Sequence, residues 1–153
     1  MIYAKRYHWA TANPYETTAL LDAFVAKPEF LTRPYTPDEI RAIGAHLLSD
    51  PGHFIWTTYD EHRLTGVVIL TRIIVGVDAL LHFFFIDESL KSKRKLLGNL
   101  LTHCFTDLGV HRLSMEVPEG VRLERFARKV LSFRLEGEIR DRNPELPKCL
   151  DNK

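Results

Sequence analysis

Leu80-Leu81-His82-Phe83-Phe84-Phe85-Ile86 leads through Asp87-Glu88 into Ser89-Leu90-Lys91-Ser92-Lys93-Arg94-Lys95. Beyond that turn, Leu96, Leu97, Leu100, Leu101, Cys104, Phe105 and Leu108 recur at helical spacing. The first seven residues are almost continuously apolar over strand length, the pattern of a central strand covered on both faces. The seven later apolar residues form one stripe on a helix. Between strand and helix, Lys91, Lys93, Arg94 and Lys95 crowd the predicted first helical turn, where unpaired N–H groups already carry partial positive charge. Each such cation is unfavourable by about 0.3–1 kcal/mol unless an anion binds there, which reverses the sign and also satisfies the N–H groups. The turn is therefore a phosphate-binding candidate. The competing reading is an ordinary exposed turn with its lysines in water.

On the N-terminal side of this centre, residues 1–10 carry Tyr3, Tyr7 and Trp9 on one alternation and predict a first strand at or near a sheet edge. Asn13-Pro14-Tyr15-Glu16 reads as a helix start, with Leu20, Leu21, Phe24 and Val25 as its buried face and Pro28 as its stop. Thr36-Pro37-Asp38-Glu39 repeats the start signal, now as a capping box, ahead of Ile40, Ile43, Leu47 and Leu48. Phe54 to Tyr59 and Leu64 to Val75 are strands separated by a polar turn. Gly76-Val77-Asp78 then turns back into the central strand, so an antiparallel meander is the economical topology.

On the C-terminal side, Gly109 is placed to cap the central helix. Arg112 to Val117 is a strand with Leu113, Met115 and Val117 on one face and Ser114 and Glu116 on the other. Val121 to Leu131 is a fourth helix, whose outer row of Arg122, Arg125, Arg128 and Lys129 reads first as a solvated face. Phe133 to Ile139 is a further strand. The tail from Arg140 contains Pro144 and Pro147 and predicts no additional strand of useful length. The expected class is thus α+β, with about four helices and a mostly antiparallel sheet that is mixed if the fourth and fifth strands are parallel neighbours joined by a right-handed crossover.

The chain has 153 residues, net charge +1 and two cysteines. That length suits a single domain over 1–153, long enough to bury about two-thirds of its unfolded surface without a disulfide. Near-neutral charge argues against a nucleic-acid binder, and no apolar run or leader pattern predicts a membrane span or export. Cytoplasmic residence is the expectation. The seven histidines show no zinc spacing, so no metal site is expected.

The order of elements, with particular segments, resembles the GNAT acyltransferase superfamily over most of the chain. Gly66-Val67-Val68 is similar to that family's third-strand glycine segment. The run from Phe105 to Leu113, then Glu116 to Gly120, is similar to its passage from helix to fifth strand, and Ala127 to Gly137 to its last helix and following strand. The resemblance implies acetyl-CoA or CoA as co-substrate, lying where the fourth and fifth strands part. Pantetheine would pair with backbone near Phe85, Ile86 and Asp87, and pyrophosphate with the N–H groups of Lys91, Ser92, Lys93 and Arg94. The family's spaced glycines are replaced here by Ser89, Lys91 and Lys93, with Glu88 in place of the usual Arg or Gln. No tyrosine follows Tyr59 to serve as the acid that many members use.

Acyl transfer to an amine needs a proton acceptor and donors for the oxyanion. His82 and Glu116 are the candidate catalytic pair, His82 as base and Glu116 orienting the amine or relaying a proton. The alternative for each is a hydrogen-bonded core histidine and a rim carboxylate. Trp9, Tyr15 and Trp56 are candidates for an acceptor groove or for the core. Two functions remain open: an N-acyltransferase acting on an amine of a small molecule or protein, and a catalytically weakened member of the fold that binds CoA or a protein as a modulator. A homodimer would cover the sheet edge left by the missing seventh strand.

Overall fold

The computed structural model describes residues 2–27, 34–74, 76–86, 93–118, 125–127, 134–138 and 147–152. The chain divides into two compact units, Met1–Ile69 with Phe83–Glu88, and Leu70–His82 with Ser89–Lys153. Two strands pass through both.

The first unit begins with β1 (Ile2–Arg6), α1 (Pro14–Ala26), α2 (Pro37–Ser49) and β2 (Phe54–Asp60). It also holds the first part of β3 (Arg63–Ile74) and the last part of β4 (Asp78–Phe85). Its strands lie in the order β1-β2-β3-β4, with β1 antiparallel to β2 from Ile2↔Asp60 to Arg6↔Trp56. Both helix starts follow from their caps. The Asn13 side chain accepts from the Tyr15 N–H, and Thr36 and Glu39 close a complete capping box. Glu16 lies 3.3 Å from Lys5 instead of returning to its own cap.

Leu20 and Phe24 of α1 and Ile40 and Leu48 of α2 join Tyr7, Ile55, Val67 and Ile69 in one buried cluster. Gly44 lets the helices close. A Cβ there would sit 2.6 Å from Phe24 Cδ2. Phe24 in turn meets Phe84 of β4 edge-on, with centroids 4.8 Å apart. Trp56 is core, whereas Tyr15 and Trp9 are exposed.

The second unit contains the rest of β3 and β4, then α3 (Arg94–Thr106), β5 (Arg112–Pro118), β6 (Arg134–Glu138) and β7 (Pro147–Asn152). Its order is β3-β4-β5-β7-β6. β4 and β5 are parallel, with α3 in the crossover that such a pair needs, and β7 is antiparallel to both β5 and β6. The mixed sheet expected from the sequence is therefore present, with β4 interior. Along β4, Ala79, Leu81 and Phe83 are buried and the alternate residues half-buried. Gly109 takes φ +70° after α3, the left-handed conformation that a helix end favours. Of the fourth helix, residues 125–127 are helical and the rest lies outside the described residues.

The seventh strand corrects the sequence reading. Pro147 was counted against strand structure, yet it occupies the first strand position, where a missing N–H removes little pairing. From Pro147 to Asn152 the chain pairs with β5 over six positions and with β6 on its other side. The gap that a second copy was expected to cover is thus filled by this chain. Among the described residues no helix is long and apolar enough to cross a membrane.

The stripe of α3 is narrower than its periodicity suggests, with Leu97, Leu101 and Cys104 buried and the flanking leucines half-buried. Burial pushes the Cys104 thiol up from 9.0 to about 11. The folded thiol thus holds its proton where the unfolded one has lost it. Its contribution is complete below about pH 9 and disappears as pH rises through about 11. A shift of this size corresponds to about 2–3 kcal/mol. Urea midpoints should therefore fall between pH 8.5 and 11 by more in the wild type than in Cys104→Ala. Parallel curves would place the thiol's titration near its ordinary value.

Candidate functional site

The end of β4 is shaped by Gly66. A Cβ at that position would lie 2.4 Å from the Phe84 carbonyl oxygen and 3.0 Å from Phe85 Cα. With no side chain there, β3 and β4 press together. The Ile86 N–H donates to the Thr65 carbonyl at 2.8 Å, and the Lys27 ammonium, just past α1, donates to the Ile86 carbonyl. Both main-chain groups of Ile86 are therefore engaged. Backbone groups of successive strand residues face opposite edges, so those of Phe85 point away from β3. The Phe83 and Phe85 rings stack on one face at 6.0 Å. Asp87, Lys91 and Ser92 lie outside the described residues.

Within the second unit, β4 and β5 pair only at Asp78↔Arg112, Ala79↔Leu113 and Leu80↔Ser114 among the described residues. β5 continues to Pro118, but from Met115 onward its described pairs are with β7. Among the described residues the parallel ladder thus ends at Leu80↔Ser114. His82 and Glu116 each stand two residues beyond the last pair, on their respective strands. The structure brings the two sequence candidates to equivalent positions at the point where pairing stops. His82 is half-buried, and its Nε2 lies 3.0 Å from Thr71 Oγ1 of β3. Glu116 pairs through its backbone position with Cys149.

The start of α3 sorts the cationic cluster. Lys93, the N-cap residue, is 1% exposed, whereas Arg94 and Lys95 point to solvent. A lysine side chain accepts no hydrogen bond. The N-cap accordingly makes no side-chain bond to the first-turn N–H groups, and no acidic residue lies in that turn. Lys93 thus gives the first-turn N–H groups no side-chain cap, and outward cations flank them, an arrangement suited to an anion. An exposed turn with every lysine in water is not what Lys93 does.

Sequence reading missed Thr71 and Lys27. Thr71 lay inside a run read only as β-rich, and its partner is set by the register of the β3–β4 hairpin. Lys27 looked like a helix-terminating residue before Pro28, with nothing to mark its bond to Ile86. Among the described residues no group of three His, Cys, Asp or Glu side chains is arranged to hold a metal.

No protein-family model matches the sequence, and no curated protein matches it. Solved structures do. The N152L mutant of spermidine N-acetyltransferase SpeG from Vibrio cholerae superposes with TM-score 0.74 at 14% identity, covering 99% of this chain and 92% of that one. Campylobacter jejuni N-acetyltransferase PseH, in complex with acetyl coenzyme A, gives 0.68 at 14% identity over 100% and 99%. The ribosomal L7/L12 alpha-N-protein acetyltransferase RimL, in complex with coenzyme A, gives 0.71 at 13% over 97% and 92%. Likeness at these identities is likeness of fold.

Proposed function

We infer that this chain, whose fold is that of the GNAT superfamily, is an acyl-CoA-dependent N-acyltransferase acting on an amine of a small molecule or protein. The observation that carries this reading is the end of the described β4–β5 pairs at Leu80↔Ser114, the place where the extended co-substrate of the resembled family would enter. The similar structures include one with acetyl-CoA and one with CoA, which supports the same co-substrate here. Phe85 and Ile86, at the end of β4, belong to the proposed pantetheine contact. Ile86 is held by Thr65 and Lys27 so that the strand end keeps its place. The first-turn N–H groups of α3, with Lys93 and Arg94, receive the pyrophosphate, and Asp87, Lys91 and Ser92 complete this proposed set.

Acetyl-CoA supplies an activated thioester. The acceptor nitrogen bonds to the carbonyl carbon as the carbon–sulfur bond breaks. His82 takes the proton that the nitrogen loses, directly or through water, and Glu116 orients the amine or relays the proton. The departing thiolate collects its proton from solvent, since no tyrosine follows Tyr59. The second reading, a binding protein with weakened catalysis, is favoured by Lys93. Its buried side chain stands where the family places a glycine.

Calorimetric titration with acetyl-CoA and with CoA tests the assignment. Micromolar binding is expected, and Arg94→Glu should weaken it about tenfold or more by removing one charge-assisted contact and adding repulsion. Unchanged affinity in Arg94→Glu would move the phosphate site away from α3. No binding by the wild type would reject the transferase and favour a scaffold role.

A further inference from the structure

We propose that Lys27 sets the class of acceptor, favouring an amine that carries a carboxylate elsewhere in the molecule over one that carries a second ammonium. The inference rests on the transferase reading given above and names the substrate class for the same strand end.

Lys27 follows directly on α1, is half-buried, and donates from its ammonium to the Ile86 carbonyl at the end of β4. The two residues are 59 positions apart in the chain, so the fold brings this charge to the strand end and the main chain holds it there. A carbonyl takes one of the three ammonium protons and cancels none of the charge. Among the described residues Lys27 makes no ion pair. The carboxylates of α1 are committed elsewhere. Glu16 lies 3.3 Å from Lys5, and Asp22 lies 2.8 Å from Arg41. α1 thus supplies acids that already have their cations, and the residue after it adds a positive charge with no described counter-charge.

Ile86 belongs to the proposed pantetheine contact, so an acceptor reacting at the end of that arm enters the field of the Lys27 ammonium. A half-buried charge is screened less than an exposed one. A second ammonium on the acceptor meets like charge there, whereas a carboxylate takes a remaining ammonium donor in a charge-assisted bond. One side chain therefore attracts the right acceptor and repels the wrong one. The same field favours the neutral form of the reacting amine, which is the form that attacks, because a neighbouring like charge disfavours protonation.

The test compares three amines of equal chain length at saturating acetyl-CoA: 4-aminobutyrate, butylamine and 1,4-diaminobutane. The wild type should favour 4-aminobutyrate over 1,4-diaminobutane by about tenfold or more in kcat/KM, with butylamine between them. Lys27→Met should bring the ratio to within about twofold, and Lys27→Arg, which keeps the charge, should retain most of it. A residue that only tethers Ile86 would change all three rates together. An unchanged ratio in Lys27→Met therefore overturns the proposal, as does a wild-type preference for the diamine. Binding supplies a readout that needs neither turnover nor the Lys27→Met variant. In protein carrying 15N-lysine, the Lys27 Nζ signal is assigned by its loss in Lys27→Arg. With CoA present, 4-aminobutyrate should shift that signal and 1,4-diaminobutane should leave it in place. No shift with 4-aminobutyrate overturns the proposal. A shift without turnover of any amine upholds the carboxylate contact at Lys27 and rejects the transferase reading instead.

Discussion

Gly66→Ala should destabilise the protein by about 3 kcal/mol, at or beyond the upper end of ordinary overpacking. The added carbon would meet the Phe84 carbonyl at 2.4 Å and Phe85 Cα at 3.0 Å. Both are backbone atoms, so no rotamer change relieves the clash and β4 itself must move. That movement would also disturb the 2.8 Å bond from Ile86 to Thr65. For a domain of ordinary marginal stability, this is a large fraction of the total. Gly98→Ala provides the contrast. Gly98 lies inside α3 with nothing within 4 Å of its would-be Cβ, so the same substitution should stabilise by about 0.5–1 kcal/mol through helix propensity. Denaturant midpoints measure both. A loss below about 1 kcal/mol in Gly66→Ala would mean that β4 yields easily, and the close approach would lose its role in shaping the strand end.

His82→Ala should reduce kcat by about a hundredfold or more, the range expected when a positioned general base is removed. The calorimetric affinity for acetyl-CoA should stay within about twofold, because the residues assigned to CoA are others. Glu116→Gln should lower kcat less and raise the KM of the amine acceptor. An unchanged turnover number in both variants would return His82 to the role of a hydrogen-bonded sheet residue and Glu116 to that of a rim carboxylate. A loss of CoA binding in His82→Ala would instead point to a collapsed strand end.

Local chemistry made most of the fold legible. Asn13 and Thr36 announced the two helices because caps act within four residues, and both caps are made as read. Gly76 and Gly109 marked their turns through a conformation other residues resist. The C-terminal strand failed for the opposite reason. β7 is held by two neighbours distant in sequence, so its own short, proline-preceded segment carried little signal.

The site divided in the same way. His82 and Glu116 are proposed from their strand positions, and the described β4–β5 pairing ends two residues before each of them. The inward turn of Lys93 was hidden, because a run of four cations reads as solvated. The contacts of Thr71 and Lys27 depend on register and on the end of a helix meeting the end of a strand, which no spacing rule encodes.

The placement of β7 between β5 and β6 has a consequence for biosynthesis. A ribosome releases β5 and β6 before it makes the strand that lies between them. Until then the two edges have only each other, or other nascent chains, to pair with. Neither pairing is native. The second unit can therefore complete its sheet only once residues 147–152 have cleared the exit tunnel, whereas β1 to β3 and their two helices can begin to pack during translation. Slow elongation would help the early elements and prolong the exposure of the late ones.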